Sequence, residues 1–139
     1  MNILSLFRKE DIRNPDGSSY LTRYVIRRNE ERQAVYLHHF TGTDKDAQHD
    51  HPKWFISLGL KGRYVEETPD GNRVWQAPWF RFFPAEHRHR IIVPPGEECW
   101  TLTITGAGAD REWGFFPEGV YVPWRDYEAM TGRGMVDDG

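Results

Sequence analysis

At 139 residues, with 28% charged side chains and a net charge of −3, the chain suits a single domain that builds its core without disulfides. It has no block of like charge, which excludes the clustered basic footprint of a nucleic-acid or anionic-membrane binder, and no run nears the ~20 apolar residues of a membrane span. Cys99 is the sole cysteine, and the apolar run Ile3, Leu4, Leu6, Phe7 is too short and too soon charged for a signal peptide, so a soluble cytoplasmic protein is expected.

In chain order, residues 1–19 read as a polar N-terminal arm ending in the turn signal Asn14-Pro15-Asp16-Gly17. Residues 20–130 form the domain. The β-formers between Tyr20 and Arg28 predict a first strand, and Ala34 to Phe40 a second; the polar loop Thr41 to Gln48 then delivers His49-Asp50-His51-Pro52. Trp54 to Leu60 predicts a strand that turns at Lys61-Gly62 into Arg63 to Glu67. Pro69-Asp70-Gly71-Asn72 is a hairpin turn. Arg73 to Phe83 resumes a strand with Pro78 at an edge or bulge, because proline cannot donate to a ladder. His87 to Val93 is the next strand. Cys99 to Thr105 alternates, and its Trp100, Leu102, Ile104 face is assigned to the core with Cys99 turned away. Trp124 to Met130 predicts one short helix, and residues 131–139 a flexible tail. Many short strands punctuated by turns indicate an all-β sandwich or barrel.

The six histidines come in close couples: His38-His39, His49/His51 and His87/His89. In an extended strand, residues i and i+2 share a face, so His49 and His51 can converge on one point. His89 can approach that point from a neighbouring strand, with His87, on the same face, as the alternative. Neutral imidazole is the commonest metal ligand, so a single bound metal is expected. Asp50 alternates away from that point and reads as a loop-capping carboxylate. His38 and His39 face opposite ways and cannot both serve one site.

With these residues in view, the chain resembles the cupins, small double-stranded β-helix (jelly-roll) barrels. His49-Asp50-His51 and Gly62 match the first cupin motif, with Phe55 where its glutamate belongs. Pro84 and His89 match the second, with Glu86 in place of its glycine and Val93 in place of its asparagine. The wider pattern also resembles short single-domain cupins of bacteria and phages. The resemblance implies an all-β jelly-roll barrel with a short C-terminal helix, and a metal held by His49, His51 and His89. Three-histidine cupins include dioxygenases. A displaced acid can also complete the set: if the chain turns at Lys61-Gly62, Glu66 and Glu67 lie opposite Ile56 and Phe55, about 4.5–5.5 Å away at Cβ. Glu66 is preferred, and a one-residue register change favours Glu67.

Such a nitrogen-rich site suits Fe(II), with Ni, Mn, Co or Zn as alternatives. The leading expectation is an Fe(II)-dependent oxygenase of a small polar molecule. A redox-neutral metal-dependent lyase or isomerase, and a non-enzymatic small-molecule-binding cupin, are the alternatives. Tyr64, Arg81 and His38 are candidates to line the substrate pocket. No nucleic-acid or membrane partner is expected, and cupins often pair as homodimers through edge strands or an exchanged N-terminal arm.

Overall fold

The computed structural model describes residues 3–29 and 31–132. The residues assigned to the C-terminal tail lie outside that range from 133 onward. Among these residues, ten strands and one α-helix follow a short 3-10 turn at Ile3–Leu6. The strands are β1 (Arg8–Arg13), β2 (Ser19–Arg27), β3 (Val35–Phe40), β4 (Phe55–Thr68), β5 (Gly71–Gln76), β6 (Trp79–Phe83), β7 (Arg90–Ile92), β8 (Cys99–Thr105), β9 (Gly114–Phe115) and β10 (Val122–Pro123); α1 spans Trp124–Thr131. All pairings between these strands are antiparallel. The main sheet runs β1-β2-β3-β8-β4-β5, with β6 and β7 also on β4. This is the all-β jelly roll with a single short C-terminal helix.

β4 organises the barrel. Its first half pairs with β6 and β8, and its second half with β5 and β7, so one strand runs through both walls. The turn expected at Lys61-Gly62 is therefore a bend inside a continuous strand of 14 residues. Pairing with β8 carries on through it (Lys61↔Trp100, Gly62↔Cys99), with a bulge between Gly59 and Lys61. Glycine permits a reversal or a bend equally well; unbroken pairing with β8 selects the bend. Gly62 has φ +82°, and a Cβ there would sit 2.0 Å from the Glu98 carbonyl oxygen. Gly62→Ala should cost roughly 3 kcal/mol, since it combines a strained φ with overlap against backbone that cannot step aside; chemical denaturation checks this.

Three other expectations change. The segment assigned to an arm contains β1, which pairs with β2. Its signal was hidden because the inward residue is Glu10, buried and held by a bidentate pair with Arg28 (2.8 and 2.9 Å), instead of an apolar side chain. The run Arg73 to Phe83 is two strands, broken at Ala77-Pro78. The faces of β8 are reversed: Cys99, Thr101 and Thr103 are buried, while Trp100, Leu102 and Ile104 lie on the outer side, half-exposed. Alternation identifies two faces but not which one turns inward. Here the interior is polar, so the threonine face suits it. Burial pushes the Cys99 thiol up to about 12.

The apolar core is small: Leu21, Phe40, Tyr64, Ile91, Val93 and Cys99. Beside it the barrel buries Ser57, Glu66, Thr101 and Thr103. Helix α1 ends at Gly132, which takes the left-handed conformation (φ 72°) that glycine adopts without strain. Its Tyr127 stacks on Phe115 at 4.0 Å and accepts the Ala47 N–H at 3.1 Å, so the helix clamps the loop leading to His49. Among the described residues no helix is long and apolar enough to cross a membrane.

Candidate metal centre

Backbone pairing sets the histidine segment. His49 and His89 exchange N–H···O bonds (3.0 and 3.1 Å), His51 N–H reaches Ala85 O (2.9 Å), and on the other side Asp50 N–H reaches Gly114 O (3.1 Å). Residues 48–51 are thus held extended between two neighbouring segments, and His49 and His51 share a face as the i, i+2 argument requires. Asp50 points the other way. Its carboxylate accepts the Gly114 N–H (2.8 Å) and an Arg111 Nη1–H (3.1 Å), which ties down the loop after β8.

The rings of His49, His51 and His89 stand 4.9–5.2 Å apart, centroid to centroid, at interplanar angles of 70–81°. Edge-to-face contacts of this kind are also what packed aromatic rings prefer, so what points to a metal is where the ring nitrogens lie. One ligand atom from each lies within 4.8 Å of the others, and a second such group joins Glu66, His87 and His89. The Nδ1 of His51 is buried without a hydrogen-bond partner, a lone pair or proton that lacks a satisfying neighbour. Phe55 flanks His51, Phe83 flanks His87 and His89, and Phe115 flanks His49. This apolar surround disfavours imidazolium. Burial, reinforced by the charges of His89 and His87, holds His49 down to about 3, and burial likewise lowers His51 and His89. Neutral imidazoles with free lone pairs fit a divalent cation.

Glu66 reaches the cluster from β4, on the face it shares with Tyr64. Its Oε2 accepts hydrogen bonds from His89 Nδ1 (2.7 Å) and His87 Nε2 (2.8 Å); its Oε1 accepts from Arg81 Nη2 (2.9 Å) and Trp75 Nε1 (3.2 Å). Burial would raise its pKa, but the His87 and His89 hydrogen bonds, with the charges of His89 and Arg81, overcome burial and hold it well below the usual carboxylate range. An ionised carboxylate only accepts, so His89 Nδ1 and His87 Nε2 both carry protons, and His89 presents Nε2 as its lone pair. With four donors, every acceptor position of Glu66 is filled. Glu67 turns to the opposite face and pairs with Arg90 (2.9 Å).

The other candidates are distributed as follows. Arg81 lies over the Trp75 ring (3.8 Å) and the Phe83 ring (4.2 Å), with Nη1 buried and without a partner. Tyr64 is buried against Phe40 and Trp79, and burial raises its hydroxyl pKa above the ordinary tyrosine range. His38 lies on β3, inside the barrel but outside both metal-competent groups. It accepts the Arg23 Nε–H (3.1 Å), and its Nδ1–H then donates to Thr103 Oγ1 (3.3 Å). His39 faces outward, stacked on Trp100 at 3.8 Å and bonded to Glu98 at 2.7 Å. Sequence reasoning missed Asp44, whose Oδ2 approaches His49 Nδ1 (3.6 Å), and Trp75 on Glu66. Neither belongs to a recognisable motif, since only the folded register brings them there.

The fold is that of the cupins. The polyketide cyclase RemF from Streptomyces resistomycificus superposes with a TM-score of 0.69 at 16% identity, over 94% of this chain and 91% of that one. A cupin-like protein from Thermotoga maritima gives 0.63 at 15% identity, over 93% and 96%. The DMSP lyase DddQ from Ruegeria pomeroyi gives 0.64 at 15%, over 83% and 64%. No protein-family model matches the chain, and no curated protein matches it in sequence. The chain is therefore a cupin-fold protein whose buried histidine and glutamate groups could hold a metal ion.

Proposed function

We propose that this chain is a mononuclear divalent-metal enzyme that acts on a small polar molecule by proton transfer, as in a lyase, isomerase or cyclase reaction. The observation that carries it is the triad His49, His51, His89, with ring nitrogens within 4.8 Å of one another, beside a carboxylate already saturated by donors. Once bound there, a divalent ion supplies Lewis-acid polarisation of a substrate oxygen. Glu66 accepts the His89 Nδ1 proton and so orients the Nε2 lone pair, the usual role of a carboxylate behind a ligand histidine. The same oxygen holds the Nε2 proton of His87, which leaves His87 Nδ1 able to take a proton from substrate and return it, with Glu66 stabilising the imidazolium between the two steps. The His87 side chain is 26% exposed, against 7% for His89 and 2% for Glu66. The names of RemF and DddQ, a cyclase and a lyase, are compatible with this reading.

A second reading, an Fe(II) oxygenase, is favoured by the aromatic rings of Phe55, Phe83 and Phe115 packed against the triad, which leave little room for water on that side. One experiment separates the two. Protein purified without a metal-binding tag is loaded anaerobically with Co(II), Zn(II), Ni(II) or Fe(II) and given a panel of small hydroxy-, keto- and thio-acids. We expect one metal per chain and turnover that persists without oxygen. Turnover only with Fe(II) and matched by oxygen uptake selects the second reading, and failure to take up any metal ends both.

A further inference from the structure

The inner face of the main sheet carries a row of hydrogen-bond donors that the metal centre does not use. Thr103 on β8 pairs with Ser57 on β4, and Ser57 pairs in turn with Arg81 on β6. Directly paired residues share a face, so the three side chains stand next to one another inside the barrel. The direction of each donor is settled by a neighbour. Ser57 Oγ accepts the Trp79 Nε1–H (3.2 Å), so its own proton points elsewhere. His38 accepts the Arg23 Nε–H on Nε2 and therefore carries its proton on Nδ1, which it gives to Thr103 Oγ1 (3.3 Å). The Thr103 hydroxyl is thereby also left to donate. Arg81 gives Nη2 to Glu66 (2.9 Å), while its Nη1 is buried with no partner. Ser57 and Thr103 are buried, whereas Arg81 and His38 are only half-buried, so the row is deep but reached from solvent.

We infer that Arg81, Ser57 and Thr103 bind a carboxylate of the substrate, which makes the substrate a small organic acid. This acid is the small polar molecule of the function proposed above, and the placing of its reacting end rests on that reading. Two hydroxyls and a guanidinium, all left to donate, form a site that an anion satisfies and that a neutral amide or water satisfies only in part. Adjacent strands stand ~4.8 Å apart, close enough for neighbouring donors to share the two oxygens of one planar group. Charge selects a monoanion. Glu66 already neutralises one side of the Arg81 guanidinium, so a dianionic phosphoryl group would bring uncompensated charge against a buried carboxylate. The surroundings fix which way the molecule lies. On one side the Trp79 ring lies across Gly59, where a Cβ would sit 2.3 Å from it, and closes the barrel beyond the row. On the other, Phe55 and Phe83 pair in the next row, ~6.8 Å along the strands, and there they pack against His51 and His89. The carboxylate is therefore the inner end of the molecule and the reacting oxygen the opposite one, with the carbon chain across Phe55 and Phe83.

Isothermal titration of the cobalt-loaded chain with sodium acetate, with the visible cobalt spectrum recorded in parallel, tests this. The expected result is one acetate per chain at about millimolar Kd, inside the ceiling for a ligand of four heavy atoms. The cobalt bands should stay unchanged, because the acetate lies off the ion. Ser57→Ala and Thr103→Val should each raise that Kd about 10-fold, the effect of one lost hydrogen bond to a charged group. Thr103→Ser keeps the hydroxyl and should bind as wild type does. Should a variant fail to fold, the wild-type Arg81 Nε–H resonance, assigned by its loss in Arg81→Lys, should still shift to saturation as acetate is added. Inorganic phosphate should bind more weakly than acetate. Phosphate as tight as acetate, acetate that never saturates, or acetate that perturbs the cobalt bands and ignores both substitutions overturns the inference. A chain that takes up no cobalt yet holds acetate through these residues keeps the carboxylate site and ends only the metal reading.

Discussion

His51→Ala should fold normally and lose its metal. The substitution removes one of three convergent imidazoles and leaves the Glu66 network untouched, so its effect falls on binding rather than stability. Outer-shell partners of ligand histidines are typically worth about 10–100-fold in metal affinity, and loss of a ligand itself should exceed that range. Isothermal titration with Co(II), together with the visible absorption of the bound ion, measures it. The wild-type protein should also show an uncommon pH profile. An ordinary histidine site weakens below pH ~6.5 as protons compete for the ligands. Here burial holds His49 down to about 3 and lowers His51 and His89, so the folded apoprotein has few protons to release. Cobalt affinity should therefore stay nearly flat from pH 7.5 to 5.5. A steep fall across that interval, or a His51→Ala variant that binds as wild type does, would show that the ion does not sit among these imidazoles.

Glu66→Ala should be the most damaging single substitution for stability. It strips the buried partner from Arg81 and leaves the His87 and His89 N–H groups and the Trp75 indole without an acceptor. Breaking a buried charge pair by deleting one partner costs about 3–5 kcal/mol, which for a domain of this size lowers the melting temperature by about 10–20 °C. Adding Arg81→Ala should recover part of the loss, because the stranded cation is then gone; the two effects should combine to less than their sum. The conservative Glu66→Gln variant separates the carboxylate's two roles. It keeps the shape but turns an amide toward one pair of donors, so we expect a smaller stability loss with metal affinity reduced about 10–100-fold. A Glu66→Gln protein that loses metal as completely as His51→Ala would instead make Glu66 a direct ligand. Differential scanning calorimetry and the same cobalt titration supply both readouts.

Much of the candidate site could be read from spacing alone. His49 and His51 at i and i+2 share a face in any extended backbone, and Asp50 between them is turned away; both follow from the pleat. Glu66 could be preferred to Glu67 from the face it shares with Gly62 and Tyr64, but the reversal at Lys61-Gly62 expected to set it opposite Ile56 is a bend within β4. The residue reaches the cluster because it lies on the same face of β4 as Tyr64, beyond the bend at Gly62. His87 illustrates the opposite case. Its position beside His89 is plain in the chain, yet its bond to Glu66, which gives it a chemical task, depends on two strands meeting.

The amino-acid sequence by itself determined the all-β class, most strand positions and the convergence of the histidines, because these rest on periodicity, turn chemistry and the two-residue repeat of a strand. Only the tertiary structure decided which face of β8 turns inward, whether Lys61-Gly62 reverses or bends the chain, and how Glu66 divides its four acceptor positions. Those choices turn on pairing between residues far apart in the chain. Two faces of an alternating strand look alike until a second sheet covers one of them.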